Sequence, residues 1–195
     1  MKQPDRTSSH TAPNPASPLS DFYAASNLPV LRFEPMPGCE LPEPYQGLLF
    51  HDNDMTQVLE AFHAQRLSLR VLNKRLERGV LAREVVLVGD EDQRAVEFGA
   101  IRIELDRFEA EPKKRILECR RPLGAIIREF EVEYTSHPTA FFRVRSDSVI
   151  RAALGPAGDG WLYGRHNRLM APRTPTGTGT LAEVVEILPG GLEAP

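Results

Sequence analysis

Between residues 67 and 105 the chain carries three β-rich segments in a row, and no other feature restricts its fold as tightly. In "LSLRVL" (67–72) and "AREVVLVG" (82–89) apolar residues recur at the period of a strand with a buried face. The polar turn "GDEDQR" then leads into "AVEFGAIRIEL" (95–105), the second arm of a hairpin. Arms joined by so short a turn pair antiparallel. The segment therefore begins an antiparallel sheet.

The rest of the chain adds helices and further strands. "RRPLGAIIREF" places Pro122 at a first-turn position with Leu123, Ile126, Ile127 and Phe130 on one side, which predicts a short helix. "TAFFRVR" is β-rich, and "SDSVIRAALG" reads as a capped helix closed by Gly155. "GWLYGRHNRLM" and "TLAEVVEILP" are two strands joined by the Gly- and Pro-rich loop "APRTPTGTGT". Ahead of the sheet, "NLPVLRFEPMPGCELPEPYQG" reads as an irregular strap with apolar anchors, and residues 1–27 as a disordered tail too poor in apolar residues to offset the cost of ordering. Removing that tail is expected to leave stability unchanged. The expected architecture is one α+β domain over 28–195, a single antiparallel sheet with helices packed on one side.

A length of 195 residues suits one core, since single domains commonly hold about 100 to 200. A formal charge of −3 offers no basic field for nucleic acid or an anionic membrane. No apolar run approaches the ~18 residues of a membrane span, and the N-terminus lacks the apolar heart of a signal peptide. Cys39 and Cys119 are too few and too far apart for a disulfide framework, so a cytoplasmic protein is expected.

The stretch "HDNDMTQVLEAFH" (51–63) gathers two histidines, three aspartates or glutamates and an asparagine. A metal site needs ligands that converge, and Glu60-x-x-His63 is a half-site without a facing partner. Asp52, Asn53 and Asp54 stand where the chain must turn into a helix, and their short side chains suit turns and caps. With Asp54 or Thr56 as cap, Met55, Val58, Leu59 and Phe62 form one apolar stripe. The stretch reads as turn and cap, with no metal.

Taken with "GLLFHDNDMTQVLEAF", the segments "LAREVVLV", "RRPLGAII", "WLYGRHNRL" and "LAEVVEILP" resemble, in order and spacing, the blocks of the chorismate pyruvate-lyase family over residues 47–189. The resemblance implies a sheet enclosing an internal ligand cavity. It also implies a reaction that removes pyruvate from chorismate to leave 4-hydroxybenzoate without cofactors. Carried over by residue, Arg83 binds the ring carboxylate; Met55 and Thr56 of "DMT", Leu123 and Gly124 of "PLG", and Arg165 line the substrate pocket. The strand glutamate is Glu186 by first choice and Glu183 by second. An odd separation puts the two on opposite faces, so only one can enter the pocket. His166 and Asn167 depart from the family's usual arginine and serine, and "VEFGAI" stands where a basic residue is frequent, which suggests a divergent subfamily.

Chorismate carries two carboxylates, and an arginine's planar fork suits a carboxylate and stays charged when dehydrated. A glutamate near the 4-hydroxyl can orient or polarise the ring carbon that must lose its proton. Without the resemblance, Arg83 is a surface strand residue paired with Glu97, Glu183 and Glu186 are edge-strand acids, and Met55 and Leu123 are core. The competing functional reading is a non-catalytic module binding a small aromatic acid, as in ligand-sensing domains of similar fold attached to some transcription regulators. Residues 1–27 offer no helix-turn-helix for that role, and simple sequestration of an aromatic acid is a third reading.

Overall fold

The computed structural model describes residues 16–155, 160–172 and 179–193. Among them, seven strands form one sheet: β1 (Phe33–Met36), β2 (Leu67–Glu77), β3 (Val80–Gly89), β4 (Ala95–Glu104), β5 (Thr135–Arg145), β6 (Trp161–Met170) and β7 (Thr180–Ile187). Their order is β1-β5-β6-β7-β4-β3-β2 and every pairing is antiparallel. The β2–β3–β4 run is the meander expected from the alternation.

Six α-helices accompany the described sheet: α1 (Leu19–Ala25), α2 (Tyr45–Leu49), α3 (Met55–Phe62), α4 (Ala110–Glu118), α5 (Leu123–Glu129) and α6 (Ser148–Leu154). Strand alternation assigns them to the sheet. Leu81 of β3, Ile101 and Ile103 of β4 and Val184 of β7 pack with Ile116 of α4 and with Leu123, Ile126 and Ile127 of α5. Beside this group, Leu87 of β3 meets Leu48 and Leu49 of α2 and Met55 and Leu59 of α3. Helices α2 to α5 thus gather on one face. Val86, Phe98, Phe142, Val144, Val185 and Ile187 point the other way, where α1 and α6 cover them.

The disordered tail expected over 1–27 needs correction at its C-terminal end. Leu19, Phe22 and Tyr23, at i, i+3 and i+4, bury one side of α1 in the second core, and the Tyr23 hydroxyl donates to Asp147 at 3.1 Å. Three well-placed apolar side chains outweigh a Pro-, Ser- and Asn-rich average. Residues 1–15 lie outside the described residues. The strap contains an edge strand, since β1 pairs Phe33–Met36 with Phe141–Val144 of β5. Pro35 is tolerated there as on other sheet edges.

Local signals elsewhere hold. Asp147 caps α6 by accepting from Ile150 N at 2.8 Å, and the helix closes at Gly155. Pro122 sits at the cap position just before α5. The base of the "APRTPTGTGT" loop is closed by Ala171 N donating to Gly179 O at 2.8 Å; residues 173–178 lie outside the described residues. No described helix is long and apolar enough to cross a membrane.

Candidate functional site

On the face beneath α3 and α5, the strand register lays side chains out in rows. Val85 of β3, Gly99 of β4, Glu186 of β7 and Arg165 of β6 face one another in one row, and Arg83, Ile101, Val184 and Asn167 form the next. Glu97, opposite Leu87, stands one row to the other side of Gly99, away from Arg83. β4 and β7 run so close at Gly99 that a Cβ there would meet the Val185 carbonyl. Arg83 and Arg165 rise from strands separated by two others, about 14 Å at ordinary strand spacing.

Between this floor and the helices lies a cavity of about 70 Å³. All seven residues singled out in the sequence line it: Met55, Thr56, Arg83, Leu123, Gly124, Arg165 and Glu186. Met55 and Thr56 enter from the first turn of α3, and Leu123 and Gly124 from the first turn of α5. The two helix starts touch closely enough that a Cβ on Gly124 would collide with the Asp54 carboxylate. At this junction the cavity shares Asn53, Asp54, Gly124, Ile127 and Tyr134 with an open pocket on the surface.

The electrostatics are uneven. Arg165 is fully buried, and its Nε donates to Glu186 Oε2 at 2.5 Å. Its Nη1 donates to Leu49 O at 3.1 Å and His51 O at 2.8 Å, whereas Nη2 has no acceptor among the described residues. Arg83, 1% exposed, donates from Nη2 to Arg121 O at 3.5 Å and has the Cys119 thiol as a neighbour. Its Nε and Nη1 have no acceptor among the described residues. Burial lowers its pKa, and the neighbouring Cys119 thiol opposes that by favouring the charged form. No described ion pair involves Arg83; Glu97, its expected surface partner, is itself buried and two rows away on the adjacent strand.

Glu97 was not singled out as a site residue, although it lines the cavity and its Oε2 has no partner among the described residues. Burial pushes its pKa well above the ordinary carboxylate value; Glu186 and Asp54 add to this and Arg165 opposes it. The only signal in the sequence is parity: Glu97 shares a face with Gly99 and Ile101.

Glu183 occupies the other face, in ion pairs with Arg102 at 3.4 Å and Arg168 at 2.9 Å. The register therefore turns Glu186 inward. Of the two departures noted in "YGRHNRL", Asn167 lines the cavity and bonds to Ser136 at 2.9 Å, while His166 faces away toward Thr139.

The turn before α3 works as a cap. Asp54 accepts from Thr56 N at 3.1 Å, and burial raises its pKa. His51 Nε2 lies 2.8 Å from Leu48 O while Nδ1 accepts from Asn53 N at 3.1 Å, which fixes the Nε2–H tautomer. Burial and the Arg165 cation lower the His51 pKa, so the ring stays neutral and anchors the segment whose carbonyls hold Arg165. Glu60 turns to Arg128 at 3.5 Å instead of joining His63. Among the described residues no three His, Cys, Asp or Glu side chains are grouped to hold a metal.

No protein-family model and no curated protein matches the chain. Among solved structures it is similar to PhnF from Mycobacterium smegmatis, at 13% identity and a TM-score of 0.52 over 72% of this chain and 65% of PhnF. It is also similar to the effector domain of PhnF, at 14% identity and a TM-score of 0.52 over 70% of this chain and 88% of that domain. At such identities the likeness is one of fold alone, an α+β domain built on a single antiparallel sheet.

Proposed function

We propose that the cavity binds a small cyclic carboxylic acid through Arg83 and that its chemistry is the removal of pyruvate from chorismate, leaving 4-hydroxybenzoate or a related hydroxybenzoate. One observation carries the binding half: a guanidinium 1% exposed, with two nitrogens unmatched among the described residues, beside a cavity. An unpaired charge buried this way costs several kcal/mol, which a carboxylate ligand offsets with bonds worth roughly 1.5 to 3 kcal/mol each. The free Nη2 of Arg165 offers a second, weaker hold for a second carboxylate.

The catalytic half rests on what surrounds that anchor. In chorismate the ring carbon bearing the hydroxyl loses its proton while the bond from the adjacent carbon to the enolpyruvyl oxygen breaks, and the ring becomes aromatic. Aromatisation drives the step, so the protein must mainly hold the substrate, exclude water and offer an acid–base group near that carbon. That Glu186 lines the cavity, 6% exposed and oriented by Arg165, supports assigning it this role.

A second reading, binding without turnover, is favoured by the 2.5 Å Arg165–Glu186 pair, which ties up the proposed base, and by the PhnF effector-domain fold. Incubating the protein with chorismate and following pyruvate separates the two. Release that disappears in Glu186→Gln supports the lyase. No release, with 4-hydroxybenzoate still raising Tm in wild type but not in Arg83→Ala, supports the binding module.

A further inference from the structure

We propose that Glu97 is a built-in proton donor of the cavity, serving an oxygen of the bound acid remote from the carboxylate that Arg83 holds. The inference rests on the carboxylate-binding reading above. Glu97 is 5% exposed, lines the cavity and has an Oε2 atom with no partner among the described residues. On β4 it lies one row from Gly99, which faces Glu186, so the two acids are diagonal neighbours with no side chain at Gly99 between them.

The charged and titratable groups lining the same space are Glu186 from β7, Arg165 from β6, Asp54 from the cap of α3, Arg83 from β3 and Tyr134 just ahead of β5. Neither cation is bonded to Glu97 among the described residues: Arg165 is paired with Glu186, and Arg83 stands two rows away. A carboxyl without a counter-ion, beside another carboxylate in an apolar enclosure, keeps its proton, in agreement with its raised pKa. A neutral carboxyl has one O–H to give, and among the described residues nothing takes it from Oε2. A ligand oxygen completes the bond.

In the lyase reading that oxygen is the enolpyruvyl ether oxygen. The carbon–oxygen bond breaks with its electron pair going to oxygen, which takes the Glu97 proton and leaves as enolpyruvate, tautomerising to pyruvate. The carbon bearing the hydroxyl gives its proton to the Glu186 carboxylate, and its bonding pair becomes the new ring double bond. Proton return from Glu186 to Glu97 resets the site. This division follows a general pattern in which neighbouring carboxyls held at different pKa values act as acid and base.

The test uses the full chain and two ligands, 3-hydroxybenzoate, whose hydroxyl stands at the ring position of the ether oxygen, and benzoate, which lacks that oxygen. Wild type is expected to prefer 3-hydroxybenzoate by about tenfold, one hydrogen bond's worth. Glu97→Gln, still a neutral donor, should keep that preference and lose its decline with rising pH, while its pyruvate release falls with little change in KM. Glu97→Leu should bind both acids equally. An unchanged preference in Glu97→Leu overturns the proposal, as does a Glu97 carboxyl found ionised at pH 7 by ¹³C NMR of the unliganded protein. A wild type that binds neither acid, with Glu97 protonated, overturns the carboxylate-binding reading instead.

Discussion

On the face beneath α1, the Glu183 carboxylate sits between Arg102 at 3.4 Å and Arg168 at 2.9 Å, and Arg102 also reaches Asp21 of α1 at 2.8 Å. Three residues further along the same strand, on the opposite face, Glu186 holds Arg165 at 2.5 Å while Arg83, two strands away, has no carboxylate among the described residues. The matched row is partly open to solvent, with side-chain exposures of 19 to 35%; the unmatched arginine is 1% exposed. Where charges serve packing, the sheet pairs them near the surface. Where a charge is buried without a partner, stability has been given up, as is usual for a binding site.

The largest test concerns what covers the matched face. Leu19, Phe22 and Tyr23 are almost fully buried by α1, and burying each side chain is worth roughly 1.5 to 3 kcal/mol. Deleting residues 1–27 is therefore expected to cost about 5 kcal/mol, comparable with the whole stability of a small domain, and to shift the urea midpoint strongly or abolish folding. A truncated chain with the wild-type midpoint would show that this face needs no cover.

Next comes an exchange across the faces. Arg83→Met keeps the bulk and removes the unpaired buried charge, so Tm should rise, by an amount corresponding to about 2 kcal/mol, while the stabilisation by 4-hydroxybenzoate disappears. Arg102→Met should lose less than about 1 kcal/mol, since its partners are part-exposed, and keep ligand binding. Thermal melts with and without ligand check both. A drop in Tm for Arg83→Met would mean that Arg83 is structural and the comparison fails.

The same contrast explains what was legible in the sequence. Strands with alternating apolar residues and the capped helices α3 and α6 were readable because local period and cap chemistry specify them. Parity showed that only one of Glu183 and Glu186 can face inward, and the preference for Glu186 came from the family resemblance. Three features hid. α1 buries only three side chains in a segment of disordered composition, and α4, "AEPKKRILE", buries only Pro112 and Ile116 beneath a charged surface. Glu97 reads as a solvent-facing partner of Arg83 because its burial depends on α3 and α5 roofing that face, which is tertiary information. Arg83 itself was identified through the family resemblance, since exposed arginines are the rule and strand period alone cannot tell a roofed face from an open one.

The smallest expected effects come from one substitution made at the two acids of β7. Glu186→Gln leaves Arg165 fully buried with Leu49 O and His51 O but without its carboxylate, and the amide oxygen replaces only part of that bond. The loss should be about 2 kcal/mol by urea unfolding, and nearly the same at 0.1 and 1 M NaCl because a buried pair is little screened. Glu183→Gln should cost about 0.5 kcal/mol at low salt and less at 1 M, where the screening length falls to about 3 Å and the arginines are already hydrated. If the two variants respond to salt alike, both pairs lie in similar surroundings and the two faces do not differ in the way the register implies. If only Glu183→Gln is salt-sensitive, Glu186 is shielded as a cavity residue must be, and its pairing with Arg165 shapes the site instead of decorating the surface.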